Sequence, residues 1–482
     1  MKKLLNLALN SLNCKKVDYG DIRLVEENSE SIATRNGVVE DLALGNSFGF
    51  GVRVLWHGAW GFAASNQLNK AAIEKTVQSA LEIAQASASV TGKKVRLAPM
   101  VVEKDGFYQT PYQVDPFTVP VSQKIGLLLA ADGELRRSKK ITVSQVFYQA
   151  YKTKKTFAST EGSYIFQEIL ETGAGLEALA VDGAEIQTRS YPNSFRGLFQ
   201  TKGWELLDQI DLVAHAPQVA DEAVALLSAK QCPEGKFDLI LDGNQLALQV
   251  HESCGHPTEL DRVLGFEAAY AGTSFMDLDT FGKLKYGSPI VNIVADATVP
   301  FGLGTFGWDD EGVPAQRDYL VKEGMHVGYL TSRETAPVIG RLSNGTMRAD
   351  GWQNIPLIRM TNINLEPGEW ELKNLIADTE KGIYMTTNKA WSIDDKRLNF
   401  QFGCEAAWEI KNGKLGQMYR NPSYTGITPK FWGSCDAICN QNHWQMWGTP
   451  NCGKGEPGQI AHVAHGTAPA RFRKVQVGVA KS

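Results

Sequence analysis

The chain has 482 residues, 43 % hydrophobic and 21 % charged, an ordinary composition for a globular protein and a length beyond one core, so two or three packed units are expected. A formal net charge of −4 gives no electrostatic reason to expect nucleic acid or an acidic membrane surface as a partner. No stretch approaches 18 consecutive apolar residues, so no transmembrane helix is expected; seven cysteines do not suit a secreted disulfide framework, and a reducing cytoplasm is the expected compartment.

The first residues, Met1-Lys2-Lys3-Leu4-Leu5, read as an amphipathic helix rather than a signal peptide. Asn6 and Asn10 interrupt the apolar run, and no small-residue cleavage site precedes Cys14. A strand is expected over 22–26, after a turn at Tyr19-Gly20-Asp21. The glycine-rich run 45–55 reads as a hairpin region, and 56–62 as a turn and returning strand. Asn69 can cap a helix whose buried face is Ile73, Val77, Ala80, Leu81 and Ala84. Residues 99–120 are proline-rich and irregular. A helix follows over 121–138, then strands over 141–151 and 164–169 with a turn at 159–162, and a strand pair over 175–189. A long helix over 204–230 should be broken or kinked by Pro217.

Cys232-Pro233-Glu234-Gly235-Lys236 is a linker and the preferred domain boundary. The expected division is an N-terminal α+β region at 1–230, with a further break available near 99–120, and a β-rich unit at 231–482. The fold class is therefore α+β. In the second unit, 237–241 is a buried strand, Asp242-Gly243-Asn244 a turn able to cap a helix, and 245–256 that helix. Short apolar runs at 290–295, 363–365, 382–386 and 406–410 make the remainder β-rich.

The helix ends in His251-Glu252-Ser253-Cys254-Gly255-His256. Zinc enzymes that cleave amides need three protein ligands, one open position, and a carboxylate that takes a proton from the attacking water. Their common solution is H-E-x-x-H, where residues four apart lie about 40° apart around a helix. The spacing here is H-E-x-x-x-H, and five residues of ideal α-helix separate two side chains by about 140°. A single π-type turn would restore the geometry, with Gly255 a place for the distortion and Pro257 ending the helix. Glu252 occupies the position of the general base. Against this stands the commoner role of helical histidines as surface or capping residues.

A third ligand is not evident from local spacing. Glu259 and Asp261 are close, and Cys452 lies in Pro450-Asn451-Cys452-Gly453-Lys454-Gly455, where backbone amides and a lysine favour thiolate. A rival set is Cys435 and Cys439 with His462 and His465, although histidines three apart on a strand face opposite ways. Cys254 reads as a core residue.

The chain resembles the TldD/PmbA proteins, also described as modulators of DNA gyrase and as metallopeptidases. The residues carrying the likeness are Tyr19-Gly20-Asp21-Ile22-Arg23, the run from Gly51 to Ala63, His251 to Pro257, Asp310-Glu311-Gly312-Val313, Arg359-Met360-Thr361-Asn362-Ile363, and Cys452-Gly453-Lys454. The resemblance implies zinc bound by His251, His256 and Cys452, with Glu252 as catalytic base. It implies a TldD-type chain that acts in the cytoplasm on unfolded peptides or peptide precursors. It also implies pairing with itself or with a relative that lacks the motif, with no direct contact to nucleic acid or membrane. The segment Lys454-Gly455-Glu456-Pro457 and the tail to Ser482 depart from the family pattern. Two other functions remain open at this level: a non-enzymatic regulatory binding protein, and a zinc hydrolase or lyase acting on a modified peptide. A β-rich domain with glycine-rich edges could take an extended peptide as an added strand.

Overall fold

A computed structural model describes residues 2–90 and 92–478. It is an α+β protein in which two eight-stranded sheets dominate. The first helix, Lys2–Cys14, buries Leu5, Ala8 and Leu12, as its amphipathic pattern requires. Strands Tyr19–Arg35 and Val38–Trp56 then form one long hairpin. Its turn is Asn36-Gly37, both with positive φ, the two-residue geometry that matches strand twist. This corrects the expected turn at residues 19–21 and the hairpin at 45–55, both of which lie within strands. The glycines at 45–51 answer a different demand: a Cβ on Gly49 would lie 2.3 Å from Trp352 Cδ2, contributed by the other half of the chain.

The first sheet runs Ala59–Ser65, Val38–Trp56, Tyr19–Arg35, Ile141–Ser159, Tyr164–Asp182, Gly106–Gln109, with Glu185–Tyr191 and Leu198–Gln200 also on Tyr164–Asp182. Strands on either side of the proline-rich segment thus share one sheet, paired continuously from Asp21↔Ser159 to Arg35↔Gln145. Asn69 caps helix Lys70–Val90 by accepting the Ala72 N–H at 2.9 Å, and the five expected apolar residues of that helix are buried. The segment expected as one helix over 204–230 is two, Glu205–Ile210 and Leu212–Ser228. The break is at Asp211, whose left-handed backbone ends the first and whose carboxylate accepts the Ala214 N–H, while Pro217 is carried inside the second.

In the second half, strand Gly235–Leu241 lies parallel to Lys381–Ile393 and antiparallel to Ala470–Val477. Ser423–Ile427 and Asn399–Lys411 continue the order, and the last pairs back to Lys381–Ile393, closing a five-strand circuit. Helix Gly243–Val250 follows the first of these strands. Leu246 and Val250 join Leu239, Leu241, Tyr424 and Phe472 in the largest buried apolar cluster. Asp242 stands at the N-cap position, but its carboxylate accepts from Tyr384 Oη (2.7 Å) and Thr386 instead of capping. A separate hairpin, Gln445–Lys454 with Gln459–Thr467, closes over the end of the helix.

Buried ion pairs join the halves. Arg53 bonds Asp21 (2.7 Å) within the first half and Glu311 (3.1 Å) from the second, and Lys155 bonds Asp310 (2.6 Å). The Asp310-Glu311 block therefore holds the two halves together.

Candidate metal centre

At His251 the helical ladder changes step. The His256 N–H bonds to the His251 C=O, five residues back, so residues His251–Gly255 form one π turn. This is the widening that the H-E-x-x-x-H spacing demands, and it brings the two imidazole centroids to 4.9 Å. Carbonyls freed by the wide turn find hydroxyls: Ser253 O accepts from Tyr286 Oη (3.1 Å), and Cys254 O and Gly255 O from Thr258 Oγ1 (2.8 and 2.9 Å). Gly255 lies within this wide turn, as expected, with φ −56° and ψ −68° at the edge of the right-handed helical region. Glycine is needed for space, since a Cβ would lie 2.2 Å from Met360 Sδ.

Cys452 arrives on the Gln445–Lys454 strand. Its Sγ is 3.5 Å from His251 Nε2 and 3.7 Å from His256 Nε2. All three residues are buried, and their ligand atoms lie within 4.8 Å of one another. Among the described residues this is the one such group of histidine, cysteine and carboxylate side chains. The rival set is not assembled: His465 supports His251, His462 contacts Glu171, and Cys435 and Cys439 are buried in separate apolar clusters. Cys254 is in the core.

Hydrogen bonds outside the group decide which nitrogens carry protons. His465 Nδ1–H donates to the Ile363 carbonyl (3.1 Å), leaving Nε2 as an acceptor for His251 Nδ1–H (2.7 Å). Burial, reinforced by His251, keeps His465 neutral. His256 Nδ1–H donates to Glu259 Oε2 (3.0 Å). Both Nε2 atoms therefore turn their lone pairs toward Cys452 Sγ. Glu259 is completely buried and is balanced by Lys454 Nζ at 3.4 Å, which also contacts Asp261 (2.8 Å) and Glu267 (3.5 Å).

Burial opposes ionisation of the Cys452 thiol, yet His251, His256 and Arg359 bring it well below its ordinary value. Burial likewise disfavours charge on His256, but the Cys452 thiolate and Glu259 hold that imidazolium up to about 9. Lys454, which the sequence suggested as the thiolate's cation, faces the three carboxylates instead. A cation held by Cys452 and His256 would displace the proton that His256 Nε2 otherwise takes up. Glu252 is buried beside His251 and His256. Burial would raise its carboxyl, but His251, His256 and the Arg397 guanidinium in close contact keep it below the usual range.

Models of the PmbA/TldA metallopeptidases match three consecutive segments: domain 1 at residues 20–84, the central domain at 114–230 and the C-terminal domain at 234–478. The chain belongs to the PmbA/TldD metallopeptidase family. A metalloprotease of Methanocaldococcus jannaschii is 30 % identical over 409 residues, covering 85 % of this chain and 87 % of that protein. A metalloprotease of Synechocystis sp. is 30 % identical over 465 residues, covering 96 % and 95 %. The fold matches the crystal structure of a Thermotoga maritima protein described as a candidate modulator of a DNA gyrase (TM-score 0.78, 17 % identity, 99 % and 100 % covered). It also matches TldE from Thermococcus kodakarensis (TM-score 0.71, 15 % identity, 99 % and 100 % covered).

Family names and curated relatives alike imply a metal ion, and His251, His256 and Cys452 can hold one. Sequence reasoning missed three supporting residues. Glu259 had a local signal, three residues beyond His256, but was weighed as a ligand. His465 lies 214 residues from His251, and Arg397 lies 145 from Glu252, both beyond any local pattern.

Proposed function

We propose that the protein is a zinc-dependent peptidase acting on unfolded peptides or peptide precursors. The supporting observation is the convergence of one thiolate and two imidazole lone pairs whose tautomers are fixed by His465 and Glu259. Bonds of about 2.3 Å to sulfur and 2.0–2.1 Å to nitrogen, meeting at a tetrahedral angle, place S and N about 3.6 Å apart. The observed 3.5 and 3.7 Å fit that set. A mixed N/S donor group is also the softness that suits zinc.

Bound zinc would supply Lewis acidity toward the scissile carbonyl. The chain's own residues do the rest. Glu252 is positioned to take a proton from the attacking water and return it to the leaving nitrogen. His465 and Glu259 hold the imidazoles in register, and Arg359, bonded to Gln459 O (3.2 Å) and contacting Cys452 O, fixes the strand that carries the thiolate. A cleft of about 520 Å³ reaches His256 and Gly453 from the surface. An extended peptide backbone in this cleft would give broad side-chain tolerance.

Cytoplasmic action, and assembly as a homodimer or with a motif-less relative, belong to the same proposal. Among the described residues no helix is long and apolar enough to cross a membrane. The test is metal analysis with turnover of an unfolded protein substrate. One zinc per chain is expected, lost in Cys452→Ser. Glu252→Gln should keep zinc and lose turnover, and full turnover in that variant would point to a regulatory binding protein instead.

A further inference from the structure

The Arg397 guanidinium makes a close contact with Glu252. Arg397 stands on the turn between strands Lys381–Ile393 and Asn399–Lys411, with a left-handed backbone at φ 63°. The turn is clamped. Arg397 N–H bonds Asp394 O (2.8 Å), Thr428 Oγ1 donates to Arg397 O (3.1 Å), and neighbouring Lys396 O accepts the Phe275 N–H (2.9 Å). The guanidinium is less firmly committed: Nη1 meets Glu252, whereas Nε is buried without a partner. It also lines the cleft that reaches His256 and Gly453. By contrast Arg262, the other arginine of that cleft, is spent on the carbonyls of Ala271, Thr273 and Asp395.

We propose that Arg397 is a further catalytic residue: it donates hydrogen bonds to the scissile carbonyl oxygen as that oxygen becomes an oxyanion, and holds Glu252 only while the cleft is empty. The inference rests on the peptidase reading of the site. The water oxygen forms a bond to the carbonyl carbon while its proton passes to Glu252, and the C=O π pair moves onto oxygen, where Arg397 meets the new charge. When the oxygen pair returns, the C–N bond breaks and the nitrogen takes the proton from Glu252. An arginine can serve both anions in turn because its donors form a planar fork.

The experiment compares wild type, Arg397→Met and Arg397→Lys, all zinc-loaded, on an unfolded protein substrate. It also measures binding of two probes, a phosphinic-acid peptide whose tetrahedral anion mimics the attacked carbonyl and the matching amide peptide bound to Glu252→Gln with and without Arg397→Met. Loss of one oxyanion donor costs about 10²–10³ in kcat. Arg397→Met should show that fall with KM and zinc content unchanged, about 100-fold weaker phosphinic binding, and amide binding within twofold. Arg397→Lys should recover part of the loss. An unchanged kcat overturns the proposal, as does equal weakening of both probes, which would make Arg397 a ground-state anchor, for instance for a peptide carboxylate. If wild type neither cleaves peptide nor binds either probe, the peptidase reading itself fails and this assignment falls with it.

Discussion

Glu259→Gln removes one negative charge from a completely buried carboxylate without changing its shape. In the structure that carboxylate accepts His256 Nδ1–H at 3.0 Å and balances Lys454 at 3.4 Å. The amide oxygen of glutamine can still accept from His256, so the ring keeps its tautomer but loses the charge that raises its basicity. Lys454 retains Asp261 and Glu267, so the surrounding fold has no unpaired cation. Outer partners of this kind are worth about 10–100-fold in metal affinity, or about 1.4–2.7 kcal/mol at 1.36 kcal/mol per decade. Competition against a chromophoric zinc chelator reads the affinity, and thermal unfolding of the chelated protein checks the fold. Affinity within twofold of wild type would refute the claim that Glu259 tunes His256. A loss equal to that of His256→Ala would make Glu259 a ligand in its own right.

Gly255→Ala drives a methyl into Met360 Sδ at 2.2 Å; overpacking of this kind costs about 1–3 kcal/mol, and urea unfolding should show it together with weaker metal binding. Arg53→Met strands the buried carboxylates of Asp21 and Glu311, and breaking such a pair costs about 3–5 kcal/mol by the same measurement; a change below about 1 kcal/mol would refute the anchoring role. His326 is buried, its Nε2–H donating to Gly328 O at 3.0 Å, and burial pushes its imidazole down to about 4. The unfolded chain takes up that proton below about pH 6.5 while the folded chain does not, so stability is full above 6.5 and declines as pH falls toward 4. Between pH 7 and 5 this group should cost about 2 kcal/mol, and His326→Gln should lose that share of the slope; equal slopes in both proteins would refute it.

The wide turn between His251 and His256 was legible because their spacing conflicts with an ideal α-helix, and a conflict in period names its own remedy; the reading of the two as a metal pair came from the family resemblance. The helix from Lys70 and its buried face were legible for the same reason: period and cap are local. Cys452 and His465 come from a distant hairpin, and nothing within either strand says which cluster it will face. The glycines at 45–51 misled for a related reason. Glycine inside a strand can mark a turn or the approach of another segment, and only the fold shows that Trp352 approaches. Asp211 carries a left-handed backbone that glycine adopts far more readily, so the helix break there gave little warning, while Pro217 does not interrupt the helix that carries it.

In the wide turn at His251 the carbonyls of Ser253, Cys254 and Gly255 accept from the hydroxyls of Tyr286 and Thr258, and that of His251 from the His256 N–H. The chain's own hydrogen bonds therefore fix the turn that sets the spacing of the two imidazoles. Capture of the ion need not pay for ordering the chain, so folding and loading become separable events. A protein stripped by a chelator should keep its unfolding cooperativity and refill without refolding.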